Sequence, residues 1–451
     1  MKTGENLALL TDLYQLTMAQ SYFQSHQLEP ATFSLFIRNY PANRSYFVAA
    51  GLADVLEFLE SFAVSQKGID YLHARQMFTD DFLDFLKALR FTGDVWAIPE
   101  GRLFFTEEPV LEITAPIIEA QIVETFIINQ INLQSLIATK AARCVHAAQG
   151  RAVVDFALRR THGIDAGMKV ARSSYLAGFG GTSNVRAGEL YGIPIVGTMA
   201  HSFVSSFENE IDAFRAFVAS FPNNSTLLID TYDTLEGARK AVTIAQEMAT
   251  RGERLQAVRI DSGDLAQLAV EVRKIFDAAG LHEVKIVGSG GLDEYDLADF
   301  SDAKVPYDAY GVGTKMGVSA DAPWFDMAYK LVEFGGRAVL KLSTGKASWP
   351  EKKQVFRLHN NQGQLTKDLI GLRSENVPGA EPLLRKVMEK GVLTAPLPSL
   401  ESSRSIFREE FMHLPDSIKA IRDPSLYAVE FTARLQESRQ QIAQKISDSK
   451  P

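Results

Sequence analysis

In Gly197-Thr198-Met199-Ala200-His201-Ser202 a single histidine follows the apolar run 193–196 and precedes a helical pattern that begins at Phe203. The order is strand, polar tip, helix. A histidine at the C-terminal end of a parallel strand stands where α/β barrels keep their chemistry. Spacing alone equally allows a satisfied core histidine, and that alternative stays open here. The 8 histidines show no ligand pairing, so no zinc site is expected. His162, beside Arg159 and Arg160, is a weaker candidate for the same pocket.

Two further tips are rich in glycine: Gly288-Ser289-Gly290-Gly291 and Gly311-Val312-Gly313-Thr314. Glycine lets backbone N–H groups approach a phosphate closely, and a following helix N-terminus adds a favourable dipole. Loops after the last strands of a β/α barrel are a common phosphate site. Neither tip has Walker A or dinucleotide-fingerprint spacing, and the bland alternative is a pair of tight turns. Carboxylates stand at two more tips, Leu228-Ile229-Asp230-Thr231-Tyr232-Asp233 and Arg259-Ile260-Asp261-Ser262-Gly263-Asp264. Asp233 and Asp264 read as helix N-caps. Asp230 and Asp261 read as functional, suited to ribose hydroxyls or to Mg2+ held together with a pyrophosphate. The accompanying arginine suits phosphate or carboxylate through paired hydrogen bonds. The whole set suits an anionic sugar phosphate.

The elements that must position these tips are legible as a repeat. Residues 153–158, 181–185, 193–198, 226–229, 255–260, 284–287 and 309–312 read as strands, and helical patterns such as 235–251 and 265–279 lie between most of them. Spacing of roughly 25–30 residues implies βα units and a parallel sheet. The expected fold class is α/β: an incomplete β/α barrel of about seven strands over residues 131–330. Residues 1–130 read as an α+β domain, with a helix over 5–30, a strand over 31–38, helices over 46–65 and 70–90, strand and turn signals over 91–115, and a buried amphipathic helix over 117–137. Residues 331–451 are expected to return and pack with that domain. They carry strand patterns at 331–342 and 353–358 and a polar helical tail from about 404.

Bulk properties narrow the partners. A chain of 451 residues that is 46% hydrophobic and 23% charged is an ordinary globular composition with material for more than one core. The net charge of −8 disfavours nucleic acid and acidic membrane surfaces, so any anion site must be local. The one cysteine, Cys144, excludes an intrachain disulfide, fits a reducing compartment and reads as a small buried hydrophobe. Asp12 interrupts the short apolar run 7–10, which is not a secretory signal. No segment approaches the roughly 20 apolar residues of a membrane span. A cytoplasmic protein is expected.

Five motifs in order resemble the nicotinate phosphoribosyltransferase family, of the type II phosphoribosyltransferase class: Phe156-Ala157-Leu158-Arg159-Arg160, Gly181-Thr182-Ser183-Asn184-Val185, Gly197-Thr198-Met199-Ala200-His201-Ser202, Arg259-Ile260-Asp261-Ser262-Gly263-Asp264 and Gly288-Ser289-Gly290-Gly291-Leu292. The resemblance runs from Leu10-Thr11-Asp12-Leu13-Tyr14 to about Arg357, and the tail after about 400 carries no such motif. It implies that nicotinate and phosphoribosyl pyrophosphate give nicotinate mononucleotide and pyrophosphate, with Mg2+ and with ATP as a co-substrate. It also implies a homodimer with shared active sites. His201 would be transiently phosphorylated by ATP. Tyr14 would reach across the dimer and stack on the pyridine opposite Phe156. Arg159 and Arg259 would hold ligand anions, with Thr198 and Ser202 also in contact with substrate. Asp230 and Asp261 would position ribose, pyrophosphate and Mg2+, and Gly290, Gly291, Gly313 and Thr314 would hold the 5′-phosphate.

Thr161-His162-Gly163 departs from the Ala-Gln-Gly-like turn of many relatives, which leaves Arg160 less defined than Arg159. The rival readings are a nicotinamide phosphoribosyltransferase, a decarboxylating quinolinate-type enzyme that needs no ATP, and a non-catalytic nucleotide-binding relative. The intact histidine and both glycine tips speak against the last. Ser183 bears on the first, because amide-using relatives carry aspartate at that position. Aspartate accepts from a carboxamide N–H and repels a carboxylate, whereas a serine hydroxyl donates to a carboxylate. Nicotinate is therefore the expected substrate.

Overall fold

The computed structural model describes residues 7–341 and 348–448. The chain divides into two units, one of residues 140–323 and one of residues 1–139 with 324–451.

The unit 140–323 is built on a five-stranded sheet in the order Ala152–Asp155, Ala309–Val312, Lys285–Gly288, Ala257–Ile260, Thr226–Leu228. Every pairing in it is parallel. The strands are short and apolar, and Val258, Ile260, Ile286 and Val312 are fully buried, as strands covered on both faces require. Helices Thr234–Ala249, Leu265–Ala278 and Glu294–Asp302 follow three of them. Two of these helices start where the spacing indicates. Asp233 accepts from the Glu236 N–H at 2.8 Å and Asp264 from the Gln267 N–H at 3.0 Å.

The sheet has five strands rather than about seven. The expected strands 181–185 and 193–198 contribute only single parallel bridges, Asp155↔Thr182 and Thr182↔Ile195. Pro194 has no N–H to give to a ladder, and Gly180 and Gly181 offer no side chain to pack, so neither segment extends. No ladder closes the sheet into a barrel among the described residues. Residues 196–201 instead carry the chain from the Ile195 edge toward the opposite one, where His201 Nδ1 lies 3.1 Å from Thr231 Oγ1. His201 is thus the first residue of the short helix His201–Ser205, after an irregular segment, and not the end of a strand.

The other unit has a seven-stranded antiparallel sheet in the order Arg337–Ala338, Met327–Phe334, Pro30–Ile37, Leu111–Pro116, Asp94–Ala97, Arg385–Glu389, Val392–Leu393. Pro30–Ile37 is buried at every position after the first, which places it at the centre of this unit's core. The helix expected over 5–30 is shorter. Asp12 is extended (φ −75°, ψ 144°), and the helix runs only over Leu13–Gln24, after a single turn at Leu7–Leu9. Residues 5 and 6 lie outside the described residues. The segments 46–65 and 70–90 resolve into strand Phe47–Val48 and helices Leu52–Glu60, Gln66–Ala74 and Asp80–Ala88. The expected strand 331–342 is Met327–Phe334 followed by Arg337–Ala338, with residue 342 outside the described residues. The C-terminal tail is not wholly helical. Ala428–Phe431 pairs parallel to Leu365–Leu372, between helices Leu400–His413 and Ala433–Asp448. No helix among the described residues is long and apolar enough to cross a membrane.

Candidate active site

The site is assembled at the C-terminal ends of the five parallel strands. Asp155 closes the first of them and is 1% exposed. Its carboxylate accepts from the Ala157 N–H at 2.8 Å and from Thr182 Oγ1 at 2.7 Å. Burial pushes this carboxyl up, and the two hydrogen bonds oppose the push. The turn that Asp155 braces carries Phe156, whose N–H donates to the Val312 carbonyl at 2.8 Å. Gly311 lies directly against the Phe156 ring, and any Cβ there would overlap it. The Arg259 guanidinium sits 5.8 Å from the centroid of the same ring. The next turn, Leu158–Arg160, presents Arg159 and Arg160 to solvent. Neither guanidinium has a hydrogen-bonded or carboxylate partner among the described residues.

Asp230 is 8% exposed. Its Oδ2 accepts from the Asp261 N–H at 3.0 Å and from Ser262 Oγ at 2.6 Å, while its buried Oδ1 has no partner among the described residues. Asp261 accepts from the Ser289 hydroxyl through Oδ1, and its Oδ2 lies 3.9 Å from His201 Nε2. Arg259 donates to Thr198 Oγ1 at 2.8 Å, and its buried Nε has no partner among the described residues. Burial pushes the Arg259 guanidinium below its ordinary value, and the nearby Asp261 and Asp230 oppose that. A buried carboxylate oxygen and a buried guanidinium N–H without partners are costly unless a ligand satisfies them.

Phe156, Arg159, Arg160, Asp261, Ser289, Gly290, Gly291, Gly311, Gly313 and Thr314 line a polar cleft of about 150 Å³. Gly290 has φ +101°, and a Cβ there would overlap the Asp261 carbonyl oxygen, so this loop is pressed against the neighbouring tip. The cleft offers peptide N–H groups and two unengaged cations beside a carboxylate. It can hold a multiply charged anion. It holds no close acid–base pair of the kind a hydrolytic triad needs, since the 3.9 Å between His201 and Asp261 exceeds a hydrogen bond. A larger, mostly apolar cavity of about 210 Å³ in the other unit, lined by Leu52, Leu56, Pro99, Val387 and Leu397 among others, lacks this convergence of polar groups.

Of the residues singled out from sequence, Phe156, Arg159, Asp261, Gly290, Gly291, Gly313 and Thr314 line the cleft together. Asp230, Arg259, Thr198 and His201 join it through the contacts above. Ser183 and Ser202 are not part of its lining. The Ser183 N–H donates to the Asp155 carbonyl at 2.8 Å, which fixes its backbone beside the Phe156 turn, and Ser202 is exposed on the His201 helix. Tyr14 belongs to the other unit, 50% exposed on the helix Leu13–Gln24. His162 is exposed and outside the lining, and Cys144 is fully buried. Among the described residues no group of three or more His, Cys, Asp and Glu side chains is placed to hold a metal. Sequence reasoning undervalued Arg160, Ser289, Thr231 and Ser262. Each stands within a motif already noted, and adjacency to a functional tip was the available signal.

Residues 152–345 match the Nicotinate phosphoribosyltransferase (NAPRTase) family, residues 9–132 its N-terminal domain, and residues 379–439 the Nicotinate phosphoribosyltransferase C-terminal domain. The chain is 49% identical over 417 residues to the nicotinate phosphoribosyltransferase pncB2 of Mycobacterium tuberculosis, covering 92% of this chain and 89% of that one. It is 34% identical to the nicotinate phosphoribosyltransferase of Bacillus subtilis, covering 95% and 93%. The crystal structure of human nicotinic acid phosphoribosyltransferase superposes with a TM-score of 0.87 at 31% identity, covering 96% of this chain and 99% of that one. With matches over all three segments and this degree of identity, the chain belongs to the nicotinate phosphoribosyltransferase family.

Proposed function

We propose that this protein transfers the phosphoribosyl group of phosphoribosyl pyrophosphate to nicotinate, giving nicotinate mononucleotide and pyrophosphate in NAD biosynthesis, coupled to ATP hydrolysis. The observation that carries the reading is the cleft itself. Two glycine tips and two unengaged arginines face Asp261 in a chain whose relatives bear this activity in their names. The reaction breaks the bond between the anomeric carbon and the pyrophosphate oxygen. The oxocarbenium-like ribose is then attacked by the lone pair of the pyridine nitrogen. That nitrogen carries no proton to remove, so no general base is required. The protein must instead align two anions and neutralise the leaving group.

Gly290, Gly291, Gly313 and Thr314 receive the 5′-phosphate, with Arg160 beside them in the same lining. Arg159 and Arg259 take the remaining anionic groups, Thr198 and Ser202 assist, and Ser183 donates to the nicotinate carboxylate. Phe156 supplies one face for the pyridine. Asp230 and Asp261 suit Mg2+. The buried Asp230 Oδ1 is a hard oxygen without a partner among the described residues, and two carboxylates are few enough for an ion that keeps water and phosphate oxygens. When bound, Mg2+ neutralises charge on the departing pyrophosphate.

His201 couples the reaction to ATP. Its Nδ1 is engaged by Thr231, which leaves Nε2 to attack the γ-phosphorus and release ADP. Water later removes the phosphoryl group as phosphate. A phosphohistidine adds roughly two negative charges beside Asp261 and so alters the affinity for anionic substrates. The assembly we assign is a homodimer, in which Tyr14 completes the partner's pyridine site. Leu13, Tyr14 and Met18 support it. They are 39–52% exposed on the helix Leu13–Gln24, apolar side chains of the kind that mark an interface. The single buried cysteine supports a cytoplasmic location. The domain division that fits this reading is 131–330 for phosphoribosyl transfer, flanked by 1–130 and 331–451.

The ATP step is tested with γ-labelled ATP. An acid-labile label on His201 is expected, and His201→Ala is expected to lose both the label and the ATPase activity with its fold intact. A label on another residue, or full ATPase activity in His201→Ala, contradicts it.

A further inference from the structure

The glycines of the two tips have no side chains with which to lock the gap between the tips, and the Ser289 hydroxyl is tied to Asp261 on the other side. Their strands, Lys285–Gly288 and Ala309–Val312, are neighbours in the sheet, so the tips stand side by side. The segments immediately C-terminal to the two tips are cross-linked by charge. Lys315, next to Thr314, places its Nζ 3.1 Å from Asp296 Oδ2 and 3.6 Å from Asp293 Oδ2. Both carboxylates belong to the capping box of the helix Glu294–Asp302, which lies just after the first tip. Asp293 accepts from the Tyr295 N–H, and Asp296 accepts from the Asp293 N–H at 2.9 Å. A second ammonium spans the same two segments. The fully buried Lys140 lies 2.5 Å from Glu294 Oε2 and 2.7 Å from Asp321 Oδ1, the latter just beyond the short helix Thr314–Gly317. Arg143 holds the other Glu294 oxygen at 3.0 Å. None of these side chains lines the cleft.

We propose that Lys315, backed by Lys140, is a positioning residue that sets the gap between the two glycine tips and thereby the affinity for the 5′-phosphate of the sugar substrate. The proposal rests on reading the cleft as the sugar-phosphate site. A phosphate that takes N–H groups from both tips tolerates little error in their separation, and a misplacement of about 1 Å can cost on the order of a hundredfold. Lys315 is the informative position. Its side chain is 42% exposed, so its loss leaves the fold standing, whereas loss of Lys140 leaves the buried Glu294 with one cation fewer.

The experiment compares wild type, Lys315→Met and Lys315→Arg. It uses steady-state kinetics with nicotinate and phosphoribosyl pyrophosphate varied separately, and calorimetric titration with ribose 5-phosphate. Lys315→Met is expected to raise KM for phosphoribosyl pyrophosphate about tenfold and to weaken ribose 5-phosphate binding in step, with kcat and the nicotinate KM within about twofold. Lys315→Arg is expected to restore most of both. The proposal is overturned if Lys315→Met leaves the phosphoribosyl pyrophosphate KM within about twofold of wild type, if kcat and both KM values worsen together, or if arginine restores nothing. Failure of the wild type to turn over nicotinate would sink the functional reading instead, and the ribose 5-phosphate comparison would still decide the role of Lys315.

Discussion

On the proposed reading, Ser183 is where acid and amide substrates part. Its backbone is fixed by the 2.8 Å bond to the Asp155 carbonyl, and Thr182 beside it is held by the Asp155 carboxylate. A new side chain at 183 would therefore project from a rigid frame. Ser183→Asp puts a second negative charge against the nicotinate carboxylate, and an unmatched buried charge is an effective means of rejection. We expect a loss on the order of a few kcal/mol, about a hundredfold or more in kcat/KM for nicotinate. Measuring kcat/KM for nicotinate and nicotinamide in both proteins checks this. A ratio unchanged by the substitution would remove Ser183 from specificity. Single residues were the most legible level of this chain. Asp233 and Asp264 were separable from Asp230 and Asp261 because a cap stands one residue before a helical pattern. Arg160 was not, because nothing in sequence says which way two successive arginines on one turn point.

At the level of elements, the glycine tips matter most. Gly290 is in the left-handed region, and its loop abuts the Asp261 carbonyl. Gly290→Ala must therefore move either its own loop or the Asp261 tip. A change of about 1–3 kcal/mol in stability is expected from the backbone strain, with a larger proportional loss in substrate affinity. Thermal unfolding together with the KM for phosphoribosyl pyrophosphate reads both, and an Ala variant with wild-type KM would show that the loop is not a phosphate cradle. Five of the parallel strands were legible because each is a β-branched or apolar run ending in Gly or Asp. Two were overread, since the run Ile193-Pro194-Ile195-Val196 looks like a strand in composition while Pro194 forbids its ladder. The strand Ala428–Phe431 was missed inside a helical tail. Its signal was only four residues of alternation, made meaningful by the stacking of Phe431 on Trp349 with centroids 3.7 Å apart.

At the scale of the whole molecule, local pattern gives way to long-range pairing. Met327–Phe334 adds to Pro30–Ile37, and Arg385–Glu389 to Asp94–Ala97, across about two thirds of the chain. Periodicity identifies such strands but carries no information about which distant segment completes the sheet. The parallel sheet was easier to read because from Thr226–Leu228 to Ala309–Val312 each strand pairs with its successor, and only Ala152–Asp155 pairs out of order, with the last. The exposed apolar residues Leu13, Tyr14 and Met18 meet the same limit, because on the proposed reading their partner is a second copy of the chain. The central claim concerns the activity of the complete assembly, and product formation tests it most directly. The purified protein is incubated with phosphoribosyl pyrophosphate, Mg2+ and each of nicotinate, nicotinamide and quinolinate, with and without ATP. Nicotinate is predicted to give nicotinate mononucleotide and pyrophosphate, with turnover enhanced by ATP, and the other two pyridines little product. No mononucleotide from nicotinate, or a preference for nicotinamide or quinolinate, would contradict the assigned activity.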